Sequence, residues 1–160
     1  MARALIVGCG CRGRLLGERL LIAGWAVRGT SRREEGLAPI EAAGIEASLA
    51  DPEWPATVLE LVGDVAVVYW LLGSARGAEE NLVAIHGERL EALLEKLVDT
   101  PVRRFVYEAA GTVEAGALRG GAEAVREAGE RWRIPVEVVE ERRDDHGEWA
   151  ELMLEGREVK

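Results

Sequence analysis

The sequence has little cysteine. Its two cysteines, Cys9 and Cys11, lie two positions apart, where a disulfide would be badly strained. No second ligand pair accompanies them, and His86 and His146 are too scattered to complete a zinc constellation. Neither a disulfide framework nor a metal centre is expected. Long apolar runs are missing too, since none approaches the roughly 20 residues a membrane span needs. The start, Met1-Ala2-Arg3 and a short apolar run before Cys9, has the outline of a lipoprotein signal. Its apolar core is shorter than the roughly 7 residues such a signal needs, and the same residues make a better first strand. A cytoplasmic protein is expected. Excess positive charge is also lacking. The formal net charge of −9 speaks against a nucleic-acid or membrane-surface binder, which wants a basic face. An anionic ligand must therefore be held by a local site. No Gly-x-Ser-x-Gly elbow, internal repeat, low-complexity run or linker interrupts the chain, which is read as one domain spanning 1–160.

What is present is concentrated near the N-terminus, in Leu5-Ile6-Val7-Gly8-Cys9-Gly10-Cys11-Arg12-Gly13. The apolar run reads as a buried parallel strand, and Leu15, Leu16, Leu20 and Leu21 follow at helical spacing. Strand, glycine turn and helix together give Gly8-x-Gly10-x-x-Gly13 the context of a dinucleotide fingerprint. Gly8 permits the tight turn, Gly10 lets the backbone approach a pyrophosphate, and Gly13 lets the helix pack close to the strand. The N–H groups opening that helix make an anion site. The plainer alternative is a tight turn in an empty parallel sheet. Cys9 and Cys11 are read as small side chains compatible with the turn.

The remaining chain alternates strands and helices. A first helix is expected over 12–23, ending at Gly24, and a second strand over 25–29, with Thr30, Ser31, Arg32 and Arg33 at its carboxyl end. A weak helix with Pro39 in its first turn reaches Ala43, and a third strand covers 45–49. Residues 51–55, with two prolines, read as a loop, followed by a short helix over 56–62. The continuous β-branched and aromatic run 65–72 predicts a strand buried on both faces. A flexible loop over 73–77 leads into one long helix over 78–98, with Leu82, Ile85, Leu90, Leu93, Leu94 and Leu97 as its apolar stripe. A fifth strand is expected over 104–108, a helix over 117–132 and a sixth strand over 135–139. Asp145 and Glu148 can cap a last helix carrying Trp149, Leu152 and Leu154. Such alternation implies right-handed crossovers and an α/β, doubly wound parallel six-stranded sheet, the Rossmann order 3-2-1-4-5-6, with helices on both faces. Its ligand would lie outside the carboxyl ends of the strands, where the order reverses. The glycine turn, 30–33, Asp51 and 71–74 meet around that crevice.

The end of strand two selects the cofactor. An NAD site usually carries an acidic residue there to hold the ribose hydroxyls. Here Gly29, Thr30 and Ser31 are followed by Arg32 and Arg33, which suits a 2′-phosphate and hence NADP rather than NAD. A charge-assisted Arg–phosphate bond contributes about 1.5–3 kcal/mol. Arg12 is placed to reach the same phosphate. The plainer reading of the arginine pair is a solvated face beside Glu34 and Glu35.

These residues resemble the short-chain dehydrogenase/reductase superfamily, and more narrowly its atypical, nucleotide-sugar-epimerase-like NAD(P)-binding members. The matching stretches are 7–13, 27–33, Asp51, Asn81, Arg104-Phe105-Val106-Tyr107 leading into Ala109-Ala110-Gly111-Thr112, Ala122-Glu123, and Ile134-Pro135-Val136. The resemblance implies a cofactor set of Gly8, Gly10, Cys11, Arg12, Gly13, Thr30, Ser31, Arg32, Arg33, Asp51, Leu71, Leu72 and Gly73. Asp51 would approach the adenine, and Leu71, Leu72 and Gly73 the adenine-ribose side. Catalytic members use a tyrosine acid/base with a lysine four residues later, and a serine near the end of strand five. Aligned on Ala122-Glu123, this chain has Ala115 and Arg119 at the first two positions and Ala109-Ala110 at the third. The chain also ends soon after strand six, where epimerase-like members carry a further portion over the substrate.

Three functions compete. The first is a non-catalytic or regulatory NADP(H)-binding protein. The second is an NADP-dependent reductase or epimerase-like enzyme using unusual residues such as Thr112, Tyr107 or Ser74. The third is a fold that binds nothing. His86 is read as a helix-face histidine rather than a base, and His146 as exposed. The helices over 78–98 and 117–132 carry more apolar surface than one sheet face needs, which suggests a homodimer.

Overall fold

The computed structural model describes residues 2–141 and 143–158. Six strands form one all-parallel sheet: β1 (Arg3–Val7), β2 (Ala26–Ser31), β3 (Glu46–Leu49), β4 (Val67–Trp70), β5 (Arg104–Glu108) and β6 (Val136–Val139). Their order is β3-β2-β1-β4-β5-β6, the doubly wound order expected. β1 is central, pairing Leu5 with Arg28 on one side and with Val68 on the other.

Successive residues of a strand face opposite sides, and both sides of this sheet are covered. Leu5, Val7, Val68, Trp70, Phe105 and Tyr107 enter one core cluster. Ala4, Ile6, Val67, Tyr69 and Val106 enter the other. This is why β1 and β4 read as unbroken apolar runs rather than alternating ones. Helices α3 (Pro55–Leu59), α4 (Glu79–Ile85), α5 (Glu88–Leu97) and α6 (Ala115–Trp132) supply the first cluster. Helices α1 (Cys11–Ile22), α2 (Leu37–Ala42) and α7 (His146–Glu158) supply the second. Among the described residues, no helix is long and apolar enough to cross a membrane.

Several elements differ from expectation for identifiable reasons. β2 runs on through Thr30 and Ser31, because these pair with Ser48 and Leu49 of β3. The ladder of β4 covers only Val67–Trp70, although Val65, Leu71 and Leu72 flanking it are buried. The long helix is two helices, α4 and α5, interrupted at His86-Gly87. The break follows from His86, whose ring is buried and bonded on both nitrogens outside its own helix. α6 begins earlier than expected because the Glu114 carboxylate accepts the N–H groups of Gly116 and Ala117, at 2.8 and 3.1 Å. Those two bonds hold the Glu114 carboxyl below the ordinary range. The apolar stripes of α5 and α6 are spent within this chain: Leu90, Leu93, Leu94 and Leu97 share one cluster with Ala122, Val125 and Ala128.

The last helix is integral to the fold. Asp145 caps it through the Glu148 N–H at 2.9 Å. Trp149, Ala150 and Met153 are fully buried beside Leu16 and Leu20 of α1. Met153→Ala is expected to cost about 2–5 kcal/mol, read as a lowered midpoint in urea unfolding followed by far-UV circular dichroism.

Candidate functional site

A cleft of about 660 Å³ opens at the carboxyl ends of the strands where β1 and β4 diverge. Its floor is the glycine turn. Gly8 has φ +88°, and a Cβ there would lie 2.5 Å from the carbonyl oxygen of Leu71, so only glycine fits. The turn is closed by Gly10 N–H donating to Gly8 O at 2.9 Å and by Cys9 N–H donating to Thr30 O at 3.1 Å. Gly13 brings α1 close, since a Cβ there would stand 3.1 Å from Gly8 O. At Gly10 a Cβ would meet nothing within 4 Å, which leaves that backbone open to the cleft. α1 starts at this point without a side-chain cap and without an acidic residue in its first turn. Such a helix start, open and positively polarised, fits a diphosphate. Cys9 is packing: it fills the space left by Gly29, and burial pushes its thiol up to about 12.

On the β2 and β3 side the wall consists of Thr30, Ser31, Arg32, Gly36, Ala50 and Pro52. Arg32 reaches across the mouth and donates to the carbonyl of Arg76 at 3.0 Å, and Arg76 lines the cleft as well. Leu71 and Leu72 continue the wall from β4. Cys11, Arg12 and Arg14 line it from α1.

Three of the expected residues do not line it. Arg33 is exposed outside the cleft. Asp51 turns into its own loop, where its Oδ1 accepts the Glu53 N–H at 3.0 Å, so its neighbours Ala50 and Pro52 form the wall instead. Gly73 is buried between the loops that follow β4 and β5, where a side chain would collide with the carbonyl of Ala110. Arg12 lines the cleft but is aimed away from Arg32. It donates to the carbonyl of Arg143 at 2.8 Å and lies 5.4 Å over the Trp149 ring.

Other lining residues were not evident in the sequence. His146 and Trp149 arrive with α7, and Arg76 and Glu108 with the loop after β4 and the end of β5, while Ser74 lines the cleft as the sequence implied. No local pattern tells where α7 docks. Glu108 did carry a signal, as an acidic residue closing the run Phe105-Val106-Tyr107.

No family model matches this sequence, and no curated protein matches it. Solved structures do match the backbone. One is UDP-glucuronic acid 4-epimerase from Bacillus cereus in complex with NAD, with TM-score 0.69 and 16% identity over 85% of this chain and 54% of that one. Another is a short-chain dehydrogenase/reductase superfamily protein from Agrobacterium tumefaciens with bound NAD, at 0.70 and 20%, covering 85% and 48%. A third is a short-chain dehydrogenase from Rhodopseudomonas palustris, at 0.76 and 14%, covering 99% and 92%. The chain shares the Rossmann fold of these structures. The chain spans about half the length of the first two structures and nearly all of the third.

The resemblance read from the sequence implies a tyrosine acid/base in its catalytic members. Here both tyrosines, Tyr69 and Tyr107, are fully buried and neither lines the cleft. The Tyr107 hydroxyl is 2.6 Å from His86 Nδ1, and His86 Nε2 is 2.9 Å from the Leu72 carbonyl. The carbonyl can only accept, so Nε2 carries the proton and the Tyr107 hydroxyl donates to Nδ1. Burial pushes the Tyr107 phenol well above its ordinary value, and the adjacent Glu108 charge adds to this. Burial also holds His86 below the ordinary imidazole value, partly offset by its bond to Leu72. The His86 ring, read from the sequence as a helix-face histidine rather than a base, is buried and braces the segment at Leu72.

Because the folded pKa of His86 is depressed, its contribution to stability is complete above about pH 6.5, the unfolded value. It is lost as pH falls below that value and through the folded one. The melting temperature should fall between pH 7 and 5, and the fall should be shallower in His86→Gln, measured by differential scanning calorimetry.

Proposed function

We propose that this chain is an NADP(H)-binding protein and that the cleft is its dinucleotide site. One observation carries the choice of cofactor. At the carboxyl end of β2, where a carboxylate would grip the ribose hydroxyls of NAD, Arg32 lines the cleft and is bonded to the backbone of Arg76. Gly8, Gly10, Cys11 and Gly13 would hold the diphosphate against the start of α1. Thr30, Ser31, Arg32, Leu71 and Leu72 would border the adenosine half, with Arg76 added to that set. Arg33, Asp51 and Gly73 leave it, and Arg12 becomes a wall of the other half. Two of the matched structures hold NAD, which supports a nicotinamide dinucleotide of some kind.

A regulatory or non-catalytic role is favoured because neither tyrosine reaches the cleft. A second reading, an NADP-dependent reductase or epimerase-like enzyme with unusual groups, draws on Ser74 and Glu108, which do line it. Thr112 and Tyr107 no longer belong to that reading, since neither lines the cleft.

When bound, the dinucleotide would supply hydride chemistry, and the chain's own part is to hold and orient it. Trp149 in the cleft wall gives a direct reporter, through quenching of its fluorescence by NADPH. Removing the pair in Arg32→Ala/Arg76→Ala is expected to weaken NADPH about ten- to a hundredfold and to leave NADH within about threefold, in fluorescence titrations of the full chain. Absence of binding by either nucleotide to the wild type would defeat the proposal. Equal loss for both nucleotides would defeat the choice of NADP.

A further inference from the structure

The cleft is lined by more basic than acidic side chains, against the acidic balance of the whole chain. In a chain of net charge −9, the described residues lining it include four arginines, Arg12, Arg14, Arg32 and Arg76, and a single acid, Glu108. That acid is buried, with 8% of its surface exposed. It sits at the last position of β5, paired with Val139 of β6. Its Oε1 accepts the Gly73 N–H at 3.0 Å, which fixes the carboxylate at the carboxyl ends of β4 and β5.

The sheet order says which part of a dinucleotide Glu108 meets. The diphosphate belongs at the β1–α1 turn and the adenosine at the ends of β2 and β3. The nicotinamide half must then extend the other way, past Leu71 and Leu72 toward the end of β5. Glu108 is on that side, in the same cleft. The two oxidation states of the cofactor share every phosphate and sugar and differ there by one charge, because the oxidised nicotinamide ring is cationic and the reduced ring neutral. The attraction of the arginines for the phosphates is common to both and cancels from their ratio.

We infer that Glu108 makes this site prefer the oxidised dinucleotide over the reduced one, so that the protein reads the redox state of the nucleotide pool. The inference rests on the dinucleotide proposal. It gives a non-catalytic protein of this kind something to respond to, since occupancy would follow the ratio of NADP+ to NADPH rather than their sum. The competing account is that Glu108 only braces Gly73. Glu108→Gln separates the two, because glutamine keeps an acceptor for the Gly73 N–H and loses the charge.

The test is isothermal titration of the full chain, wild type and Glu108→Gln, with NADP+, NADPH and adenosine 2′,5′-bisphosphate, a ligand without the nicotinamide half. Wild type is expected to bind NADP+ at least about tenfold tighter than NADPH, the scale of one charge pair in a partly buried site. In Glu108→Gln the two should come within about threefold while the bisphosphate is unchanged. Equal affinity of wild type for NADP+ and NADPH overturns the inference, and this needs no variant to fold. So does a ratio that survives in Glu108→Gln, or a parallel loss of all three ligands, which would mark Glu108 as a brace. Failure of wild type to bind any of the three defeats the dinucleotide proposal itself.

Discussion

Everything about the cleft depends on one close approach, that of Gly8 to the carbonyl of Leu71. β1 and β4 are neighbours in the sheet, and their chains part just past their carboxyl ends. The missing side chain at Gly8 lets the turn fold back against β4 there. The turn in turn sets where α1 begins, and the second core cluster assembles around α1, with Leu16 and Leu20 meeting Trp149 and Met153. A side chain at Gly8 would push these apart at their common point. The same turn is therefore both the floor of the cleft and a keystone of the packing, and the two roles cannot be separated by substitution there.

The architecture was readable because its signals are local and repeated. Buried parallel strands give continuous apolar runs, as in Leu5-Ile6-Val7 and the run at β4, and the helices between them show the apolar stripe of a single covered face. The strand order followed from the connections. What could not be read was fixed by contacts far apart in sequence. The break between α4 and α5 is one case, since the stripe from Leu82 to Leu97 gives no notice that His86 is bonded to Leu72 and Tyr107. The length of β2 is another, because the pairing of Thr30 and Ser31 with β3 decides it.

The cleft divides along the same line. Gly8, Gly10, Gly13, Arg32, Leu71 and Leu72 are where the motif and the strand ends implied. Asp51 is not, because a short acid before a proline satisfies a nearby N–H of its own loop more readily than it reaches outward. Arg12 is not free to meet Arg32, because the segment before α7 offers the Arg143 carbonyl and α7 itself the Trp149 indole face. A guanidinium takes such partners readily. Helix α7 thus contributes a wall that no motif near the N-terminus announces.

The tie between the loops after β4 and β5 bears on how the cleft admits a ligand. Gly73 N–H is bonded to Glu108, Val113 N–H to Gly73 O, and Thr112 N–H to the Ser74 hydroxyl, with Gly73 and Gly111 packed back to back. That half of the rim is tied together by these bonds. The opposite rim is latched by the exposed bond from Arg32 to the Arg76 backbone, which contributes only about 0.5–1.5 kcal/mol. Thermal motion releases a latch of that strength often and restores it quickly. The side of the cleft spanned by Arg32 is therefore held more weakly than the side built on Gly73 and Gly111.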